Sequence, residues 1–483
     1  MTADVDDDGE RMVCAECIGE AFLSAGVTRR CGEAICSFCG EMAPAMTVEE
    51  LADAVEAAFS VHYYRTTDQP DAFESAMLAD RESDFEFERR GEDVLWAIAG
   101  AAEVSEEIAE EVLEILSERH SDFDSAAAGE ECEFDPESRY EQRGPDDVEY
   151  QLEWRSFERS LRTETRFFNK EAESLLGRIF DGVGSLTTGD GRPVVRLAGP
   201  GEELSGFHRA RVFHGDVRLA LALEQPVREL GPPPNEIAVD GRMNARGVSL
   251  FYGATDPAAA LAEVRPPVGS RALVGRFDAV RPLRLLDINA LRSVYIDGSV
   301  FDSGYMVRLE LAKFLKSLSG RMTMPVMPND ERSEYLITQA IADYLASNVE
   351  LDLDGLLYPS VQRAGSHHNV VLFRRASKIE PVALPDGTVV SASLGEMDEG
   401  GWSPGCSVSE VVPPPDPPAP PRPEPLFWEG PFINPFATPD DDRDPALRLE
   451  VDSLTVLEVA AVQIMTKATQ VTRYRSQRRT LDI

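Results

Sequence analysis

The chain has 483 residues and 43% hydrophobic content, which gives an ordinary folded protein a sizeable core and room for roughly two to four domains. Its 86 acidic against 47 basic side chains leave a formal charge of -39. That charge disfavours nucleic acid as a partner across the whole surface, because unneutralised carboxylates repel the phosphate backbone, although local arginines can still hold a dinucleotide. Only Lys170, Lys313, Lys316, Lys378 and Lys467 are lysines, so the basic residues are nearly all arginine. The acidic start MTADVDDDGE has no basic n-region or apolar h-region, and even the run Leu454 to Met465 is short for a bilayer and carries Glu458. A cytoplasmic protein without a membrane partner is expected.

Cys14 and Cys17, then Cys36 and Cys39, form a C-x2-C-x18-C-x2-C pattern. Two such knuckles can set four thiolates tetrahedrally around a structural zinc ion, and four sulfur ligands would close the site, leaving no open position for catalysis. Five of the seven cysteines precede Gly40, which suits metal binding in a reducing compartment better than a disulfide framework. Cys31 is a spare thiol, and Cys132 and Cys406 stand isolated.

From Thr47 to about Ser117, VEELADAVEAAF and VSEEIAEEVLEIL space apolar residues three and four apart, predicting helices. The acidic stretches DRESDFEFERRGED and SDFDSAAAGEECEFDPE read as exposed loops or linkers. Trp154 to Val183 predicts a longer amphipathic helical segment in which Arg166 and Asn169 serve packing and salt bridges.

FHRARVF, Phe207 to Phe213, alternates apolar and basic residues, as a strand would, and places Arg209 and Arg211 on the same side. In Gly241 to Pro267, VSLFYGA predicts a buried strand containing Tyr252. Asp256 followed by Pro257 gives an N-cap with proline at N1, Pro266 ends the short helix, and that helix carries Glu263. Arg242, Asn244 and Gly247, in R-x-N-x-x-G, shape the turn before Tyr252; they precede a strand instead of joining one to a helix, so they are not a dinucleotide fingerprint. SGYMVRLELAKFLKSL and SEYLITQAIADYLAS predict helices, the second with Leu336, Ala340 and Tyr344 on one stripe. In Asp354 to Arg375, a strand from Leu356 to Tyr358 breaks at Pro359-Ser360, and a second strand follows from Asn369 to Phe373. Strands near Val248, Leu273, Leu285, Leu356 and Val370 are expected to carry a site at one edge of a cleft. VPPPDPPAPPRPEPLFWEGPF then reads as a semi-rigid polyproline spacer. The tail LRLEVDSLTVLEVAAVQIMTKATQVTRYR mixes strand and helix signals.

An arginine in an early strand, a glutamate in FYGATDPAAALAEVRP, and a serine in DGLLYPS followed by GSHHNVVLF together resemble the RES-domain family, from about Ser205 to Lys378. The resemblance implies an α+β fold like that of ADP-ribosylating toxins, a mixed β-sheet core flanked by helices, and NAD as substrate. It implies that Glu263 opposes the positive charge developing on the ribose and that Arg209 grips the pyrophosphate, with Arg211 as the alternative. Tyr252 would stack on a ring and lend a hydroxyl, and Ser360 would bond the ribose or support Glu263. Asn369 aligns with a recurring asparagine and joins the NAD-binding set. Many members have a tyrosine beside the arginine; here the neighbours are His208 and Ala210. The preceding helical region resembles the HEPN-like domain found before some RES domains, but no histidine follows Arg166 at the spacing of HEPN ribonucleases.

The expected organisation is a zinc-ribbon-like module of four cysteines over 1–45, a mostly helical HEPN-like domain over 46–190, a RES catalytic domain over 200–380, a Pro-rich linker over 381–440 and a tail over 441–483. Three functions fit. One is an NAD glycohydrolase or phosphorylase toxin that depletes cellular NAD, with an antitoxin or trigger protein as partner. The second is an ADP-ribosyltransferase that modifies a protein or nucleic acid, and the third is an inactive sensing protein. Breaking the nicotinamide-ribose bond needs no strong nucleophile, since a neutral pyridine departs and an oxocarbenium-like centre forms for a carboxylate to stabilise.

Overall fold

The computed structural model describes residues 10–80, 83–122, 131–326, 331–360, 367–398, 401–414, 441–463 and 466–475. The chain divides into two units: Met1–Asp181 with Ser185–Pro193 and Ala290–Arg321, and Gly182–Gly184 with Val194–Asn289 and Met322–Ile483. No described helix is long and apolar enough to cross a membrane.

The first unit opens with a three-stranded antiparallel sheet in which Met42–Thr47 lies between Met12–Cys14 and Glu33–Ile35. Thr47 then starts the helix Val48–His62 through a reciprocal box: its hydroxyl accepts from the Glu50 N–H at 3.1 Å, and its own N–H donates to the Glu50 carboxylate at 2.9 Å. The two predicted apolar periodicities become the helices Val48–His62 and Glu106–His120, which bury Leu51, Val55, Ile108, Val112 and Leu116 in one core with Ile98. Residues 81–82 and 123–130 of the acidic stretches lie outside the described residues. Beside them Arg89 clamps Glu131 through two bonds, of 2.7 and 2.6 Å.

The pattern from Trp154 to Val183 is two helices, Val148–Thr163 and Lys170–Phe180, instead of one continuous segment. Asn169 interrupts it, because its side chain caps the second helix by accepting from the Ala172 N–H at 3.0 Å, and Phe168 before it is left-handed at φ 57°.

The second unit is built on an eight-stranded mixed sheet of β1 (Val195–Ala198), β2 (Gly206–Phe213), β3 (Phe251–Ala254), β4 (Arg271–Ala279), β5 (Leu283–Asp287), β6 (Gly355–Pro359), β7 (His368–Leu372) and β8 (Leu447–Glu458). Their order is β8-β4-β2-β3-β7-β6-β5-β1. Among the described pairings of this sheet only β5 and β6 run parallel. The α+β class with a mixed, helix-flanked sheet is therefore as expected. Phe207, Phe251, Leu273, Phe277, Leu285, Leu357, Val370 and Leu372 form the core. Gly355 lets β6 close on β7, since a Cβ there would lie 2.2 Å from the Val371 carbonyl oxygen.

Two details depart from the sequence reading, and a third falls where its signals were mixed. The strand expected near Val248 begins at Phe251, because the Asn244 side chain takes up the carbonyls of Val239, Ala245 and Val248 and holds that stretch as a tight turn. In the helix Glu331–Ser347 the buried residues are Ile337, Thr338, Ile341, Ala342 and Leu345, while Leu336, Ala340 and Tyr344 are half-buried. The tail's β8 pairs with β4 in two stretches, Arg271↔Glu458 to Val274↔Thr455 and Arg276↔Glu450 to Ala279↔Leu447, on either side of a bulge.

Candidate active site

Alternation in the sheet decides which side chains can meet. Ala254 stands opposite both His208 on β2 and Asn369 on β7, and Asn369 stands opposite Tyr358 on β6. His208, Tyr252, Ala254, Tyr358 and Asn369 therefore share one face. Against this face packs α1 (Pro257–Glu263), whose Ala259 and Ala260 lie on Ala210, Ala254 and Val274. The predicted cap is present: Asp256 Oδ1 accepts from the N–H groups of Ala258 and Ala259 at 3.1 and 3.0 Å, with Pro257 at N1. The helix delivers Glu263 as its last residue, exposed, with Oε2 accepting from Asn369 Nδ2 at 3.1 Å.

Ser360 leaves the end of β6. Its N–H donates to the His367 carbonyl at 2.9 Å, and its buried hydroxyl makes no hydrogen bond with a described residue. Asn369 is 2% exposed, and its Oδ1 is likewise unpartnered. The structure thus joins Glu263 to Asn369 directly.

Tyr252 has a different position from the one its residue type suggested. Its hydroxyl donates to Asn244 Oδ1 at 2.6 Å and accepts from the Met243 N–H at 3.2 Å, so the turn consumes the hydroxyl and leaves only the ring. Burial pushes the Tyr252 hydroxyl up from its ordinary pKa. The approach is so close that a Cβ at Gly241 would meet Asn244 Oδ1 at 2.5 Å and the Tyr252 oxygen at 2.8 Å. Tyr358, whose motif position gave no signal of a role, is raised far above the ordinary phenol range by burial, then by Tyr252 and Glu263. Both phenols are neutral at any physiological pH.

The two arginines of β2 have separate fates. Arg211 Nη1 donates to the Glu229 carbonyl at 2.8 Å and to its carboxylate at 2.7 Å. Arg209 lies opposite Gly275, on the sheet face opposite to His208, with its guanidinium 5.4 Å from the centre of the Phe251 ring. It makes no hydrogen bond or ion pair with a described residue, and its Nη1 is buried without a partner. Desolvation, then repulsion from Arg211, lowers its pKa to about 10. Strands β2 and β3 share a single bridge, Ala254↔His208, so their ladder ends at the level of Arg209.

Sequence reasoning missed the clip between Asp256 and His367, Oδ2 to Nδ1 at 2.6 Å. It fastens the residue that receives the Ser360 N–H to the start of the helix that carries Glu263. A cavity of about 740 Å³ in the same unit, lined by Leu223, Val227, Val382, Val408 and Leu454, contains none of these residues.

In the first unit, the sulfurs of Cys14, Cys17, Cys36 and Cys39 all lie within 4.8 Å of one another. The Cys14–Cys39 and Cys17–Cys36 separations are 3.6 and 3.8 Å. Four thiolates on a tetrahedral zinc at about 2.3 Å would stand about 3.8 Å apart, so the donor set fits the ion. Although desolvation raises the Cys36 thiol, backbone N–H groups at Cys39, Phe38 and Cys14 outweigh it and hold the group at about 6. Cys31 is outside the cluster and packs on the helical core.

Residues 210–390 match the family model of the RES domain, so this part of the chain is a RES domain. The match begins one residue after Arg209, and β1 and β8 of the sheet lie outside it. No curated protein and no solved structure gives a match. At family level a RES domain supports an NAD-related, toxin-like function.

Proposed function

We propose that the RES-bearing unit cleaves the nicotinamide-ribose bond of NAD, by hydrolysis or phosphorolysis, and depletes the NAD of the cell. The observation that carries this reading is the pair of buried polar atoms without a partner among the described residues, Ser360 Oγ and Asn369 Oδ1, on residues the motifs singled out and beside the Glu263 helix. Buried polar atoms are nearly always bonded, so such a set is explained by a polar ligand that completes it. A ribose supplies hydroxyls for Ser360 and Asn369, whereas Arg209, on the opposite face of the sheet, does not belong to this set.

In the reaction the C1′–N bond breaks, its electron pair leaves on the pyridine nitrogen, and neutral nicotinamide departs. The Glu263 carboxylate opposes the cation left on C1′. Water, or a phosphate oxygen, then forms the new bond to C1′, and water loses its proton to solvent. Tyr252 offers its ring for stacking, and Arg211, already committed to Glu229, keeps β2 in place. The four cysteines would hold zinc as a structural ion that takes no part in this chemistry. The division into a four-cysteine module, a helical region and a catalytic domain extends the same reading, with an antitoxin or trigger protein as partner.

The test is incubation of purified protein with NAD, chromatography for nicotinamide, and mass spectrometry of the other product. Nicotinamide release that disappears in Glu263→Ala, with free ADP-ribose or its phosphate ester, is expected. A modified macromolecule would establish transfer instead, and absence of both release and NAD binding would leave a sensing protein.

A further inference from the structure

We propose that Asn369 is the residue that positions the Glu263 carboxylate, and that it does so as a neutral donor so that the charge of Glu263 stays available to the substrate. The inference rests on the reading of Glu263 as the group that opposes the ribose cation. Asn369 is held from both sides, since β7 pairs with β3 at Ala254 and with β6 at Tyr358, and it is 2% exposed. Its Nδ2 therefore has little freedom, and the 3.1 Å bond to Glu263 Oε2 spans 106 positions of sequence.

Glu263 needs such a partner. It ends a seven-residue helix, where the backbone carbonyls repel an anion, and Arg265 just beyond is left-handed at φ 44°. Being exposed, the side chain would otherwise sample several rotamers. Among the described residues no arginine, lysine or histidine pairs with it; His367 is taken by Asp256, and Arg211 by Glu229. A cation in Asn369's place would fix the carboxylate equally well but would cancel the field that the reaction uses. An amide fixes one oxygen and adds no net charge. The same side chain keeps Oδ1 free, so one asparagine can hold the carboxylate with its nitrogen and receive a substrate hydroxyl with its oxygen.

The experiment compares the full chain with Asn369→Asp and Asn369→Ala by kinetics and crystallography. Asn369→Asp keeps the shape, removes the donor and adds a like charge. Its kcat should fall roughly a hundredfold, as for a misplaced catalytic group, and the acid limb of its pH profile should move to higher pH. Asn369→Ala should lose roughly tenfold or more in kcat with a smaller change in KM, and its Glu263 should scatter over several rotamers where the parent shows one. Unchanged kcat and acid limb in the aspartate variant, or a single unchanged Glu263 orientation in the alanine variant, would overturn the inference. The two failures are separable: a parent that releases no nicotinamide defeats the proposed reaction, while the rotamer comparison still decides whether Asn369 positions Glu263.

Discussion

The cysteine cluster and the Glu263 site are both assembled from short polar motifs, but one is complete in itself and the other is not. The four thiols converge on one another at distances that a tetrahedral ion would set. Around Glu263, by contrast, the fold leaves a serine hydroxyl and an asparagine oxygen buried without partners, and an arginine nitrogen likewise on the other face of the sheet. A closed donor set is a device for stability, whereas unmet bonding capacity at a cost to stability is what a binding site requires.

The largest effect expected from this contrast lies in the cysteine cluster. Zinc is expected to copurify with the chain and to be lost in Cys36→Ser, and the first unit should then lose most of its stability, given apparent binding free energies of about 10–16 kcal/mol for structural zinc. Elemental analysis with thermal melting checks this, and a parent without metal would sink it. Next comes Glu263→Gln, which should cost about 3 kcal/mol of transition-state stabilisation, roughly a hundredfold in kcat, with no fall in melting temperature because the side chain is exposed. A melting temperature that dropped with activity would make Glu263 a structural residue like the cysteines.

Arg209 sharpens the contrast further. Its pKa lies below the ordinary arginine value, at about 10, so the folded state binds its proton less tightly than the unfolded chain does. Such a base costs stability at every pH below the folded value, and the cost fades only as pH rises from about 10 towards the unfolded value. At neutral pH the cost is constant, on the order of 3 kcal/mol. Arg209→Met, on the face of the sheet opposite Glu263, should therefore raise the melting temperature by a few degrees with NAD binding unchanged, as measured by calorimetry. Arg211→Ala should lower the melting temperature, since it leaves Glu229 unpaired. The same sign in both variants would remove the distinction between the two arginines.

What could be read from the sequence follows the range of the interactions. The capping of α1 was legible because Asp256, Pro257 and the N–H groups they serve are neighbours in the chain. The metal cluster was legible because four identical ligands at this fixed spacing suit few structures besides a pair of metal knuckles. The Asn369–Glu263 bond was not, since it depends on which strand lies beside β3, and that order is set by packing across the whole sheet. Tyr252 shows the opposite error: its type and motif suggested a free hydroxyl, but Asn244, eight residues earlier, takes that hydroxyl and shortens the strand in the same act. The tail's signals are mixed because β8 alternates only weakly: Leu447 and Leu449 are buried, and its later residues are half-buried or exposed.

The smallest effect concerns the clip between Asp256 and His367. Both side chains are partly exposed, at 25% and 31%, so the ion pair itself is expected to contribute less than about 1 kcal/mol. Asp256→Asn retains an oxygen for the Ala258 and Ala259 N–H groups but gives up the charge, so the helix cap survives and the clip weakens. Melting temperature should then change by no more than about a degree. The His367 carbonyl, however, receives the Ser360 N–H, and a loosened His367 lets Ser360 move relative to Glu263. KM for NAD should accordingly rise severalfold with kcat nearly constant, whereas Asp256→Ala, which removes cap and clip together, should lower both stability and kcat. If Asp256→Asn left KM untouched, the clip would belong with the cysteine cluster as a purely structural fastening, and Ser360 would owe its position to the β6–β7 ladder alone.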